Sequence, residues 1–161
     1  MKKIGLIAAM FLTVVLSGPA AEAGRIPFNG TMEASETYQL FGDPPFMFFV
    51  NAGGTATTTQ LGQFTLVYTA LADLNSPTGD GFGRAWFITA NGDSIFTCVT
   101  AVSGPTPDPD VFFIVETHTI TGGRGRYADA KGSFTLDRLV NVVTGATSGS
   151  FDGSIIVRGN P

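Results

Sequence analysis

The sequence predicts an all-β protein: eight antiparallel strands, closed as a barrel or packed as a sandwich, in one domain behind an N-terminal signal peptide. Three observations lead there. Beyond residue 23 the chain is rich in Thr, Val, Phe and Gly and poor in helix formers. Segment after segment alternates apolar and polar side chains with a period of two. Short clusters of turn residues separate these segments at even spacing.

The first residues read as a leader. Lys2 and Lys3 precede an apolar run, Ile4 to Leu16, that is too short to cross a bilayer as a helix. Ser17, Gly18 and Pro19 break the run, and Ala21-Glu22-Ala23 has the small-x-small pattern of a cleavage site. Residues 1–23 are therefore expected to be a signal peptide and residues 24–161 the barrel domain. The protein is expected outside the cytoplasm, in the periplasm or beyond.

Strand expectations follow in order. Phe28, Gly30, Met32, Ala34, Glu36, Tyr38 and Leu40 share one face of a strand over 28–40. Gly42-Asp43-Pro44-Pro45 ends it, because proline cannot donate to a ladder. Phe46 to Asn51 is a short apolar strand, with Thr55 to Thr59 either its extension or a loop. From Gly62 to Asp73 the alternation resumes. Phe82 to Ala90 and Ser94 to Val102 flank Asn91-Gly92, a hairpin signal that favours positive φ. Strands over 111–121, 131–140 and 147–158 complete the eight.

The 161 residues carry 9 basic and 13 acidic side chains, and loss of Lys2, Lys3 and Glu22 leaves 7 and 12, a net charge of −5. That balance excludes nucleic acid and docking on anionic lipid as partners. Cys98 is the only cysteine, so neither an internal disulfide nor a cysteine-rich zinc site can form. His118 is the only histidine, which excludes a multi-histidine metal site. No cofactor is expected. The 14 phenylalanines supply a core.

Three blocks resemble a known superfamily. They are Gly54-Thr55-Ala56-Thr57 through Leu61-Gly62-Gln63-Phe64-Thr65, then Ala90-Asn91-Gly92-Asp93-Ser94-Ile95-Phe96, then Ile120 to Gly132 (ITGGRGRYADAKG). Together they are similar to the allene oxide cyclase-like barrel proteins, which include plant dirigent proteins and many small exported bacterial proteins. The resemblance covers roughly residues 28–158. It implies an eight-stranded antiparallel β-barrel. In plant members the barrel mouth binds an apolar reactive molecule and guides its ring closure or coupling, often in trimers. Their catalytic residues find no match here, and none is transferred.

The glycine-rich stretch has a structural reading of its own. Gly122, Gly123 and Gly125 can take positive φ, Gly132 can permit a bulge or a strand crossing at a corner, and Tyr127 can close the barrel end. A phosphate loop is excluded by the spacing and by the lack of a following helix.

Candidate site residues come from strand parity. Glu116 and His118 share a face with Phe112, Ile114 and Ile120, where a carboxylate and an imidazole can do acid–base work or form a satisfied polar pair. Glu36 with Tyr38 repeats the arrangement, and Arg138 shares parity with Phe134 and Leu136. If these faces point inward, a few polar groups sit in an apolar wall, as in a small-molecule site or a self-neutralised core. Cys98 is expected to be a buried, inert thiol.

The expected function is a binding or structural module whose lumen suits a small apolar molecule. The alternative is a cyclase/isomerase or dirigent-like enzyme acting on such a molecule in the barrel. A homo-oligomer is compatible with either. No Ser-His-Asp order is present. An outer-membrane barrel is disfavoured, because several strands are polar on both faces and the chain ends without an aromatic residue; no membrane association is expected after signal cleavage.

Overall fold

Alternation of this kind buries one face of every strand, and a sheet that curls onto itself hides all of those faces at once. The computed structural model describes residues 23–42, 45–73 and 75–158; the expected signal peptide, residues 1–23, lies outside them except for Ala23. The strands are β1 (Ala23–Pro27), β2 (Gly30–Gly42), β3 (Pro45–Thr58), β4 (Gly62–Asp73), β5 (Gly81–Ile88), β6 (Ser94–Pro105), β7 (Val111–Arg124), β8 (Lys131–Asn141) and β9 (Ala146–Arg158). Neighbours from β2 to β9 pair antiparallel in sequence order, and β9 pairs with β2 to close the ring.

β1 was not expected. It pairs with the far half of β9 in the register that β2 continues, Pro27 opposite Ser154 and Gly30 opposite Phe151. The Phe28 amide donates to Gly153 O at 2.9 Å across the gap between them. β1 and β2 thus form one wall of an eight-stranded antiparallel barrel. β3 includes the threonines to Thr58, and β7 runs on to Arg124. The Asn91-Gly92 hairpin exists, but its positive φ falls on Gly92 alone. The Gly92 amide bonds to Thr89 O, which is a type I turn followed by a left-handed glycine.

One half of the lumen is aromatic. Phe28 is fully buried and meets Phe64, Phe87, Phe134 and Phe151, with ring centroids 4.9 to 6.2 Å apart. Tyr127 caps this end: a short 3-10 turn, Gly125–Tyr127, carries the ring inward to 6.2 Å from Phe64. Gly125 starts that turn at φ +60, where a side chain is strained. Gly122 and Gly132 also have positive φ. Gly123 does not, and it is needed for a different reason: a Cβ there would fall 1.9 Å from Ser94 O. The bulge lies on β7, where Thr121 is left without a partner opposite Phe96 and Thr97, and not at Gly132.

The outer faces of β2 and β9 carry Thr31, Glu33, Ser35, Thr37, Ser148, Ser150 and Asp152, so the outward apolar positions of β5 to β7 do not continue as a belt round the barrel. Cys98 is exposed on the outer wall, contrary to expectation. Its parity companions Phe96 and Val102 are themselves outward, while Thr97 and Val99 are buried. Apolar neighbours marked the wrong side.

Candidate functional site

Strand parity turns Glu36, Glu116, His118 and Arg138 into the lumen, and each is nearly completely buried. The closed sheet then joins residues far apart in sequence. Arg138 on β8 donates from Nε to Glu116 Oε1 at 2.8 Å and from Nη1 to Glu36 Oε1 and, at 2.9 Å, to Thr147 Oγ1. Glu116 Oε2 lies 2.8 Å from His118 Nε2. A carboxylate can only accept, so Nε2 carries the proton. His118 Nδ1 pairs with Thr97 Oγ1 at 3.0 Å. At the other end, the Tyr38 hydroxyl donates to Glu36 Oε2 at 2.9 Å. The result is one polar chain along the lumen: Tyr38, Glu36, Arg138, Glu116, His118, Thr97.

This arrangement answers a strong constraint. Two buried carboxylates without a counter-charge would be expensive, and only a planar guanidinium with several fixed donors serves both. The guanidinium carbon also lies 5.6 Å from the Tyr68 ring centroid, a cation–π distance. The His118 ring stacks on Phe134 at 4.4 Å, which joins the polar chain to the aromatic half.

The fields inside are correspondingly strong. Burial alone would raise the Glu116 pKa, but the His118 hydrogen bond and the Arg138 charge outweigh it and hold the carboxyl below its ordinary value. Burial, then the Glu116 charge, push Tyr68 up; burial and Glu36 do the same for Tyr38. Arg138 is pushed up by Glu116 and Glu36 against the effect of its burial.

Stability should therefore depend on pH in a definite sense. A depressed folded pKa stabilises above the unfolded value and is lost as pH falls through the folded one. Urea midpoints are expected to fall from near pH 4.5, the ordinary glutamate value, downward. Glu116→Gln, less stable at pH 7, should show a shallower decline over that window; parallel curves would refute the assignment.

Thr97, His118 and Glu116 have the connectivity of a hydroxyl–imidazole–carboxylate triad. Packing denies them that role. Thr97 is 2% exposed and does not line the space beside the network, which is lined by Glu36, Tyr68, Glu116, His118 and Arg138 among others and measures about 10 Å3. That is room for a single water. The sequence had suggested a lumen suited to a small molecule; the side chains themselves fill it.

The Tyr38 end differs from the Tyr127 end. Tyr38 is 37% exposed, with its ring 6.1 Å from Phe48, and Leu40 and Phe46 beyond are exposed. The exposed tip of the β2–β3 hairpin is therefore apolar, and Glu36 lies below Tyr38 as its hydrogen-bond acceptor. Among the described residues, no cluster of three or more His, Cys, Asp or Glu side chains could hold a metal ion.

Sequence reading found Glu36, Tyr38, Glu116, His118 and Arg138, which the structure unites. It missed Thr97, Thr147 and Tyr68. Tyr68 shares parity with Phe64 and Leu66, and that alternation was the available signal; nothing local marks Thr97 or Thr147 as partners of residues on other strands.

No family model matches the chain, and no curated protein matches it. A solved structure does: the pterocarpan synthase dirigent protein GePTS1 superposes with a TM-score of 0.58 at 12% identity, over 94% of this chain and 98% of that one. At that identity the likeness concerns the fold, and the fold of this chain is a dirigent-like antiparallel β-barrel.

Proposed function

We propose that this protein is an exported small-molecule-binding barrel whose ligand docks at the Tyr38 end, an apolar body against Phe48 and Leu40 and one hydroxyl on the Glu36 carboxylate. The observation that carries this reading is the Tyr38–Glu36 hydrogen bond beside the exposed apolar side chains of the β2–β3 hairpin. The protein's own phenol occupies the place that a ligand hydroxyl would take. With only about 10 Å3 free beside the network, the ligand sits at this end and displaces Tyr38 instead of entering the lumen. Export is supported by Lys2, Lys3, the apolar run to Leu16 and the Ala21-Glu22-Ala23 pattern.

A second reading, a dirigent-like cyclase, draws on Glu116 and His118 lining the space below Glu36. A bound molecule reaching past Tyr38 would meet a hydrogen-bonded carboxylate–imidazole pair suited to proton transfer.

Native mass spectrometry of protein purified from its own host should show a retained small molecule. In titrations with a panel of substituted phenols, Tyr38→Phe is expected to tighten binding several-fold, because the competing internal hydroxyl is gone. Glu36→Gln should weaken it about tenfold, on the order of one charge-assisted hydrogen bond. No retained molecule in any preparation, together with no phenol that binds, would sink the proposal.

A further inference from the structure

The outer wall opposite β5 holds an open trough, bordered by Met32 and Arg138, which also line the internal space. Its floor is β9, where Ser148, Gly149 and Ser150 present little side-chain bulk. Longer side chains on the flanking strands border it, and it is a shallow groove of about 580 Å3 that lies open to solvent. Two rows cross it. In one, Phe113, Leu139, Ser148 and Glu33 stand in register on β7, β8, β9 and β2; in the other, Val115, Asp137, Ser150 and Thr31 do. Each row grades from apolar to polar over roughly 14 Å, three strand spacings.

The composition is specific about chemistry. Leu139 is 52% exposed and Phe113 is 43% exposed. The Phe113 ring rests against Gly104, where a Cβ would lie 2.7 Å from two of its atoms, so the platform is held in place. The Ser148, Ser150 and Thr31 hydroxyls can donate or accept, while the Glu33 and Asp137 carboxylates can only accept. These carboxylates stand two strands apart and one row apart, roughly 12 Å on the diagonal, which is too far to share a cation. Arg138 borders the trough, but its guanidinium is committed inward to Glu36 and Glu116. The trough therefore offers exposed acceptors, hydroxyls and an aromatic platform, with no available cation among its described lining residues.

We infer that this trough binds a neutral saccharide chain, with pyranose C–H faces on Phe113 and Leu139 and ring hydroxyls donating to Asp137 and Glu33. Acidic glycans are repelled by the two carboxylates. A basic peptide would satisfy the carboxylates but not the hydroxyl floor.

The test is affinity electrophoresis of the whole protein in native gels containing soluble cellulose, starch, xylan, chitosan or poly-lysine. At least one neutral polysaccharide should retard it. Phe113→Ala and Asp137→Asn should each weaken that retardation about tenfold, and Ser148→Arg, which fills the trough from an exposed position, should abolish it. Phe82→Ala, an exposed aromatic on the opposite wall, should leave it unchanged. Circular dichroism confirms that each variant is folded. Three outcomes overturn the inference: no retardation by any neutral polysaccharide, retardation that survives Ser148→Arg, or retardation by the cationic polymers alone that disappears in salt.

Discussion

Arg138→Met is expected to destabilise the barrel by about 3–5 kcal/mol at pH 7, the usual result of leaving buried charge without its partner. Among the described residues, the guanidinium is the only cation that meets both Glu36 and Glu116. Its removal also strips Thr147 Oγ1 of a donor. The methionine stem fills much of the same volume, so the loss reflects charge more than packing. Adding Glu36→Gln and Glu116→Gln to the same chain removes the stranded charges and should recover a large part of the lost stability. Urea denaturation of the single and triple variants measures both. An Arg138→Met protein as stable as wild type would show that the carboxylates are not held as a buried ionic pair around it.

Phe28→Ala should be comparably severe, about 3–5 kcal/mol, because a buried phenylalanine is lost from a site that cannot collapse. Four aromatic rings pack on Phe28 from four other strands, β4, β5, β8 and β9. They are anchored by closed hydrogen-bonded ladders, so the walls cannot move in to fill the void. Phe28→Leu keeps most of the apolar volume and should cost clearly less. Thermal melts read the difference; equal melting temperatures for the Ala and Leu variants would mean that the site relaxes, and the hub role would be wrong.

Much of this site was legible because a strand enforces a two-residue parity. Glu116 with His118 and Glu36 with Tyr38 are i, i+2 pairs, and the structure shows both pairs hydrogen-bonded. Parity also aligned Arg138 with Phe134 and Leu136. What parity cannot supply is register. Arg138 meets Glu36 across 102 residues, a contact fixed by sheet order and ring closure. Thr97 was hidden for the same reason, since its partner lies across a bulged ladder. Parity also does not say which face is inside: Cys98 followed Phe96 and Val102, and all three look outward. β1 escaped notice because only four residues, Gly24 to Pro27, separate the expected leader from the alternating run.

The pairing of β9 with both β1 and β2 has a consequence for how the chain folds. Arg25 and Ser154, which hydrogen-bond across this seam, are 129 residues apart. The ladders from β2 to β8 are local hairpins that can form as the chain emerges, but the ring shuts only when its last segment arrives. Loop closure over such a separation carries a large entropic barrier, so folding should be slow for a domain of this size. Until then β2 and β8 both present unpaired edges, and the interval before closure is when the chain is most exposed to self-association. A chain lacking residues 146–158 would remain permanently in that interval.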